Sequence, residues 1–254
     1  MSRFCVLLTA VAFTAGARAH PAQANPPGPR DPASMQEVTG AMEMNDTARF
    51  AGITIDQLEW RGGTEGSPSW DAEARYGGDL NGLVLRTEGA RGGGSAIGAS
   101  AELMWDRAIS EWWNLQAGAR EDFGAGPPRT WAAVGVRGTA PYWLQLESTV
   151  YAGEGGRTAA RIKAEYELFL TQRLVLQPKA ELNAYGKQDR ARGVGSGLSE
   201  LELGLRLRYE IRRELAPYVG VDWVRLVAST ANMARRMGHD VSDLDIVVGV
   251  RLWL

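Results

Sequence analysis

The sequence predicts an all-β protein: an antiparallel transmembrane β-barrel of about 12 strands, preceded by a disordered N-terminal tether. From Ile53 to Leu254, segment after segment alternates apolar residues with charged or small ones, which gives a strand one apolar and one polar face. Turn-forming residues separate these segments, and the connections are alternately short and long. No apolar run in this part is long enough for a membrane-spanning helix. Together these observations favour strands that cross a membrane.

Residues 1–19 have the pattern of a secretory signal peptide. Arg3 supplies the positive charge, residues 5–13 form an apolar stretch, and Ala17-Arg-Ala19 is a small-residue cleavage site. Cleavage before His20 would remove Cys5, the one cysteine of the chain. The mature protein is therefore expected to have neither disulfides nor thiolate metal ligands.

Residues 20–49 differ in composition from the rest of the chain. They contain five prolines together with alanine, glycine, asparagine and glutamine, and such a segment cannot bury enough apolar surface to build a core. We expect a disordered tether in the periplasm. It contains Met42-Glu-Met44, with Met35 upstream.

The barrel itself is predicted over residues 50–254. An even number of crossings, with short periplasmic turns and long outer loops, places both ends of the barrel segment on the periplasmic side. Pro178 lies inside the ninth candidate strand, where it removes a ladder donor, so we expect a local bulge there. Short connections are predicted around 78–82, 140–141, 171–173 and 213–215, and longer ones around 62–69, 91–98, 123–129, 186–198 and 228–243. The candidate strands cover residues 53–61, 70–77, 83–90, 99–106, 113–122, 130–138, 142–152, 159–170, 174–185, 199–210, 217–227 and 244–254.

The polar face of these strands carries charges of both signs. In the segment 101–106, for example, alternation points Glu102, Met104 and Asp106 into the lumen. Such charges require partners or water. These charges have two possible interpretations. They form either a salt-bridge network that fills a narrow barrel or an acidic route for cations, and the sequence leaves both open. The residues expected to point inward are Asp71, Glu73, Glu88, Glu102, Asp106, Asp122, Glu147, Glu165, Glu181, Glu202 and Asp222 with Arg75, Arg86, Arg120, Arg137, Arg161, Lys163, Lys179, Arg206, Arg208 and Arg251.

Composition and motifs argue against nucleic-acid binding and against an enzyme. The formal net charge is −2, so no basic surface is expected from composition. The mature chain has two histidines, His20 and His239, and lacks the G-x-S-x-G, H-E-x-x-H and phosphate-loop motifs. An outer-membrane hydrolase would have to use one of these histidines, and it ranks last among the functions considered.

Thioethers are the strongest candidates for metal ligands, because soft sulfur favours Cu(I). One group lies in the tether, a second in the last predicted outer loop, and one methionine faces the lumen. Each group is also compatible with ordinary linker, loop or packing positions. The candidate ligands are Met35, Met42, Met44, Met104, Met233, Met237 and His239.

Several ordered blocks resemble the copper-resistance B family of Gram-negative outer-membrane proteins, and the resemblance covers nearly all of residues 50–254. The blocks are Phe50-Ala-Gly-Ile-Thr-Ile-Asp-Gln-Leu-Glu-Trp-Arg61, Trp70-Asp-Ala-Glu-Ala-Arg-Tyr-Gly-Gly-Asp79, Ala101-Glu-Leu-Met-Trp-Asp106, Gln116-Ala-Gly-Ala-Arg-Glu-Asp122 and Pro217-Tyr-Val-Gly-Val-Asp-Trp223. Family members often carry an N-terminal segment dense in Met and His, whereas this chain offers only His20, Met35, Met42 and Met44 there.

The resemblance implies an outer-membrane barrel that takes part in copper resistance. Together with Met42-Glu-Met44 and the acidic lumen, it leads to the hypothesis of a monomer among outer-membrane lipids that binds copper ions transiently and moves them across the membrane. The resemblance also implies a periplasmic multicopper oxidase as a partner. The residues leave open an alternative, a passive outer-membrane channel for small polar solutes.

Overall fold

The structure, a computed structural model, describes residues 48–62, 66–91, 97–124 and 126–254. The predicted signal peptide and most of the predicted tether, with Met35, Met42 and Met44, lie outside the described residues. Within these ranges, no helix is both long and apolar enough to cross a membrane.

The described chain consists mainly of antiparallel strands, joined by turns and loops. One α-helix, α1 (Ala228–Arg236), and three 3-10 turns, Pro141–Trp143, Glu154–Gly156 and Arg190–Arg192, lie between strands. The strands are β1 (Phe50–Gly62), β2 (Ser67–Gly77), β3 (Asn81–Arg91), β4 (Ile97–Ala108), β5 (Trp113–Phe123), β6 (Arg129–Ala140), β7 (Leu144–Gly153), β8 (Arg157–Glu165), β9 (Leu168–Phe169), β10 (Leu174–Tyr185), β11 (Gly197–Tyr209), β12 (Leu215–Leu226) and β13 (Ser242–Trp253).

These strands form one sheet that closes on itself. Neighbours in sequence pair with each other, and β13 pairs with β1, from Thr54 opposite Trp253 to Gly62 opposite Ile246. Because β8 and β9 pair with β10 in one continuous register, they count as a single crossing. The ring therefore has 12 crossings, and the predicted barrel is confirmed.

The side chains alternate between lipid and lumen as predicted. Glu102 and Asp106 are buried in the lumen, at 2% and 1% exposure, while Leu103 between them is 54% exposed on the outer wall. The same arrangement holds around the ring, so polar residues form most of the interior of the molecule and apolar residues most of its surface. This inversion is what a barrel in lipid requires.

Pro178 does not produce the bulge that the sequence predicted. β10 is continuous from Leu174 to Tyr185, and its register with both neighbours passes through Pro178 without a shift. Instead the neighbouring strand is interrupted, at residues 166–167 between β8 and β9. Tyr166 N donates to Pro178 O at 3.1 Å, but proline has no N–H to return a bond, so the ladder is weakened on the partner strand.

Two predicted connections also differ from the structure. β7 begins at Leu144 rather than at 142, because Tyr142 and Trp143 belong to a turn in which both have positive φ, 67° and 65°. The predicted loop 228–243 contains α1, a nine-residue helix that packs on the outer end of β11. Short connections at 78–80, 109–112, 141–143, 170–173 and 210–214 share one end of the barrel, which we name the periplasmic end, and the opposite end is the outer end.

Candidate functional site: the charged lumen

The lumen contains three successive cavities. A periplasmic cavity of about 760 Å³ and an outer cavity of about 340 Å³ lie on either side of a central cavity of about 40 Å³. The central cavity shares Glu73 and Lys163 with the periplasmic one, and Glu88 and Arg161 with the outer one. Between the two larger spaces, the described residues thus leave a volume that holds a few water molecules.

The central cavity is narrow because ion pairs cross the lumen midway between the two larger cavities. Arg86 donates to Glu147 at 2.8 Å and to Glu73 at 2.9 Å, which joins β3 to β7 and β2. Lys163 Nζ lies 3.0 Å from Asp71 Oδ2. β8 and β2, which carry that pair, are six positions apart in the ring of 12 crossings. One side-chain pair therefore spans the full width of the barrel.

Further pairs lie at the same level of the barrel, and together with those of Arg86 and Lys163 we call them the central ion-pair layer. Arg137 Nη1 lies 2.5 Å from Glu73 Oε2, and Arg161 pairs with Glu88 and, at 3.3 Å, with Glu102. Buried charges are stabilised only when such pairs and hydrogen bonds replace their hydration. The layer meets that condition on most atoms, and Glu102 Oε2 is a buried oxygen without a hydrogen-bond partner among the described residues.

A second network lies on the wall that includes β1, β11 and β12. Arg206 Nη2 contacts Glu59 Oε1 at 3.0 Å and Asp222 Oδ2 at 3.2 Å, and Tyr218 donates to Glu59 at 3.0 Å. Arg61 Nη2 lies 3.0 Å from the same Asp222 oxygen. This network connects β1 to β11 and β12 across the intervening strand β13.

The predicted inward charges are all found in ion pairs. Each of the ten basic residues and each of the eleven acidic residues named from the sequence has an oppositely charged partner. Even so, acidic residues exceed basic ones along the path: five to three in the periplasmic cavity, six to four in the central one and six to five in the outer one. The lumen is therefore both a salt-bridge network and a space in which acidic residues outnumber basic ones.

Sequence reasoning missed Glu59 and Arg61, which belong to the second network. The cause is a β-bulge in β1: the register with β2 shifts between Ile55 and Gln57. Thr54 and Asp56 line the periplasmic cavity, and after the bulge the odd-numbered residues point inward instead. A signal was present, because the polar positions in Gln57-Leu-Glu-Trp-Arg61 are out of phase with those in Ile53-Thr-Ile55.

Met104 faces the lumen as predicted, but it is packed among apolar side chains. It is 0% exposed and lies in a cluster with Val84, Trp131, Ala133 and Tyr151. Val84 is its partner across the β3–β4 ladder. The thioether is thus covered in this arrangement.

The outer candidates lie together on and after α1. Met233 and Met237 are one helical turn apart, and Met233 Sδ accepts a hydrogen bond from Gln188 Nε2 at 2.7 Å. Met237 is 56% exposed, and His239, also exposed, follows the helix. Among the described residues, no group of three or more His, Cys, Asp or Glu side chains has the geometry to hold a metal ion.

Comparison with known proteins gives consistent matches. Residues 49–254 match the family model described as "Copper resistance protein B precursor (CopB)". The chain is 45% identical to a copper resistance protein B homolog of Pseudomonas syringae pv. tomato over 92% of this chain and 81% of that protein. It is 44% identical to copper resistance protein B of Escherichia coli, over 83% of this chain and 71% of that one.

A solved barrel has a similar fold. The NanC porin aligns with 80% of this chain and 99% of its own, with a TM-score of 0.51 and 12% sequence identity. At that identity the likeness concerns the fold alone, an outer-membrane type of β-barrel.

Proposed function

This chain belongs to the copper resistance protein B family, and on that premise we propose that it is a non-enzymatic outer-membrane barrel that binds copper ions transiently and moves them across the membrane. The observation that carries the proposal is the excess of acidic over basic residues in each of the three lumenal cavities. A low-dielectric wall around such a lumen concentrates cations and repels anions. Copper ions are the cations that the family name points to.

The central ion-pair layer makes this a binding route rather than an open one. A cation that passes has to displace Arg or Lys from a carboxylate partner such as Glu73 or Asp71, and the pair re-forms behind it. Exchange of partners of this kind gives short occupancy and slow passage. Short occupancy agrees with a role in copper resistance, because a protein that moves copper ions has to release them as well as bind them.

Thioethers supply the selectivity for copper in this proposal. Met42 and Met44 precede Phe50, the first residue of β1 at the periplasmic end, by eight and six residues. Six to eight residues span roughly 20–28 Å when extended, enough to reach the periplasmic cavity. We propose Met42 and Met44 as the first ligands and Met35, Met233, Met237 and His239 as secondary ones, while Met104 would take part only if its apolar cluster opened.

We also propose the cellular setting that the family resemblance implies. The N-terminal segment lies in the periplasm, the barrel is a monomer among outer-membrane lipids, and a periplasmic multicopper oxidase is its partner.

Copper titration of the purified protein tests the thioether part. We expect the double variant Met42→Leu/Met44→Leu to lose bound Cu(I) or to bind it about tenfold more weakly, because leucine keeps the size of methionine without its sulfur. Met104→Leu is the matched control and should bind as the parent does. Unchanged stoichiometry and affinity in the double variant would remove the tether from the proposal.

A passive channel for small polar solutes is the second candidate. The two large cavities, of about 760 and 340 Å³, favour it because each has room for a hydrated solute. The central layer is the obstacle, and electrical recording distinguishes the two functions.

A further inference from the structure

We propose that residues 186–196, the connection between β10 and β11, form a lid over the outer cavity, and that Asp189 latches this lid to the barrel wall. The lid would control access from outside for any solute, so the proposal does not depend on copper. Residues 186–196 fold as a compact unit. Asp189 and Val194 form an isolated antiparallel bridge around the 3-10 turn Arg190–Arg192, and Asp189 Oδ1 accepts a hydrogen bond from Ala191 N at 3.2 Å.

The latch is formed by one carboxylate and two arginines. Asp189 Oδ2 accepts a hydrogen bond from Arg129 Nε at 2.8 Å and lies 3.6 Å from Arg157 Nε. Arg129 begins β6 and Arg157 begins β8, at their outer ends. Each arginine lies an even number of residues from an inward-facing side chain of its own strand, Trp131 or Arg161. The carboxylate is therefore held from the inner side of the rim.

The latch lies a quarter of the way around the ring from the strand at which the lid begins. β6 and β10 are three positions apart in the ring, which corresponds to about 14 Å at the spacing of neighbouring strands. The lid starts at β10 and nevertheless contacts the connection before β6, where Arg192 Nη1 donates to Pro127 O at 2.9 Å. Lys187 Nζ donates to Gly155 O, in the connection before β8, at 2.8 Å. Arg192 also lines the outer cavity, so the lid forms part of the boundary of that cavity.

The other side of the lid rests on α1. Gly195 N donates to Thr230 Oγ1 at 2.9 Å, and Ser229 Oγ donates to Ser196 O at 2.6 Å. The Gly195 and Thr230 contact is buried, whereas the latch is only partly buried, with the Arg129 and Asp189 side chains 20% and 13% exposed. The base of the lid is thus fixed by buried contacts with the helix and its tip by polar contacts that water reaches. Opening at the tip around a fixed base follows from this difference, because ion pairs near solvent are weak.

The latch is set to stay ionised. The hydrogen bond from Arg129, with the positive charges of Arg129 and Arg157, holds the pKa of Asp189 below its ordinary value. The carboxylate therefore remains charged throughout the neutral range, and mild acidity does not release the lid.

Thiol labelling tests the lid without reference to copper or conductance. The background is the cysteine-free protein, with Cys5→Ser, and the reporter is Asn183→Cys, which lines the outer cavity. We expect Asp189→Asn to raise the rate at which a cationic methanethiosulfonate modifies this reporter by about fivefold, the scale of one exposed ion pair. Asp189→Glu, which keeps the charge, should stay within about twofold of the parent.

Two controls separate the lid from general loosening. A second reporter, Gln145→Cys, lines the periplasmic cavity, and its labelling rate should not respond to Asp189→Asn. Arg190→Gln lies on the same segment, and no hydrogen bond or ion pair of its side chain occurs among the described residues, so it should leave both reporters unchanged.

A second variant opens the lid without touching the charges. Gly126 has φ of +91°, and a Cβ there would lie 2.8 Å from Ala191 O, so Gly126→Ala should push the tip away and accelerate labelling of the outer reporter. If neither Asp189→Asn nor Gly126→Ala alters that rate, or if both reporters accelerate equally, the lid is not the barrier to the outer cavity and the proposal fails.

Discussion

At the scale of single residues, the lumen is organised around a few side chains that serve several partners. Arg86 is the clearest case, since its three nitrogens contact Glu73, Glu147 and Gln116 at 2.8–2.9 Å. The sequence predicted that Arg86 points inward but not which carboxylate it meets. Glu147 is 61 residues away, and only closure of the ring brings the two together.

Removing this side chain should have a large effect. We expect Arg86→Met to lower the free energy of unfolding by about 3 kcal/mol, because it leaves buried carboxylates with fewer partners. The control is Arg75→Met, whose side chain is 42% exposed and contacts Asp106, and for which a loss of at most about 1 kcal/mol is expected. Denaturant unfolding in detergent micelles measures both, and equal losses would contradict the central role of Arg86.

At the scale of elements, the alternating pattern predicts the strands well. Every observed strand begins and ends within three residues of its candidate, β8 and β9 being taken as one. Side chains at alternate positions face lipid or the polar lumen, and the residue types alternate between apolar and polar in the same way. The same pattern does not predict α1, whose nine residues are too few for a stable isolated helix and are held by contacts with residues 195–199.

The effect of Pro178 could not be assigned from sequence, because a missing donor weakens whichever strand faces it. Replacing Pro178 should therefore restore the continuity of the strand that pairs with it. We expect Pro178→Val to add the N–H that can donate to Tyr166 O, joining β8 and β9 into one strand. One added ladder hydrogen bond is worth about 1 kcal/mol, so the amides of Tyr166 and Leu168 should exchange with solvent about fivefold more slowly.

Pro217→Val is the matched control for this experiment. Pro217 lies in β12, opposite Val250 of β13, and β13 continues through that position without interruption. Its replacement should leave the exchange of Tyr166 and Leu168 unchanged. If Pro178→Val behaves in the same way, the interruption between β8 and β9 has another cause.

At the scale of the whole molecule, sequence reasoning reached the barrel, its polar lumen and its family, but it left open whether the lumen is a network or a route. The structure combines the two, since Lys163 and Asp71 cross the full width while acidic residues remain in excess. Pore width is a property of the closed ring, set by strand number and by which side chains meet across it. No local pattern contains that information.

This geometry predicts the electrical behaviour of the barrel. We expect planar-bilayer recordings to show little steady conductance, because the central cavity of about 40 Å³ is too small for a continuous column of hydrated ions. The double variant Arg137→Ala/Lys163→Ala, which removes two bulky groups from the layer, should conduct and should prefer cations. A large, copper-independent conductance of the parent protein would favour the passive channel instead.

The ion pairs across the lumen also have a mechanical consequence. A barrel wall is a single hydrogen-bonded layer, which resists stretching along its ladders but bends easily between strands. Two ion pairs, Arg86–Glu147 and Lys163–Asp71, connect strands that are not neighbours in this wall and so hold distant parts of it at a fixed distance. Sideways pressure from the bilayer can then flatten the cross-section only by separating charges in a space of low polarisability, so the barrel keeps its shape when the surrounding lipid does not.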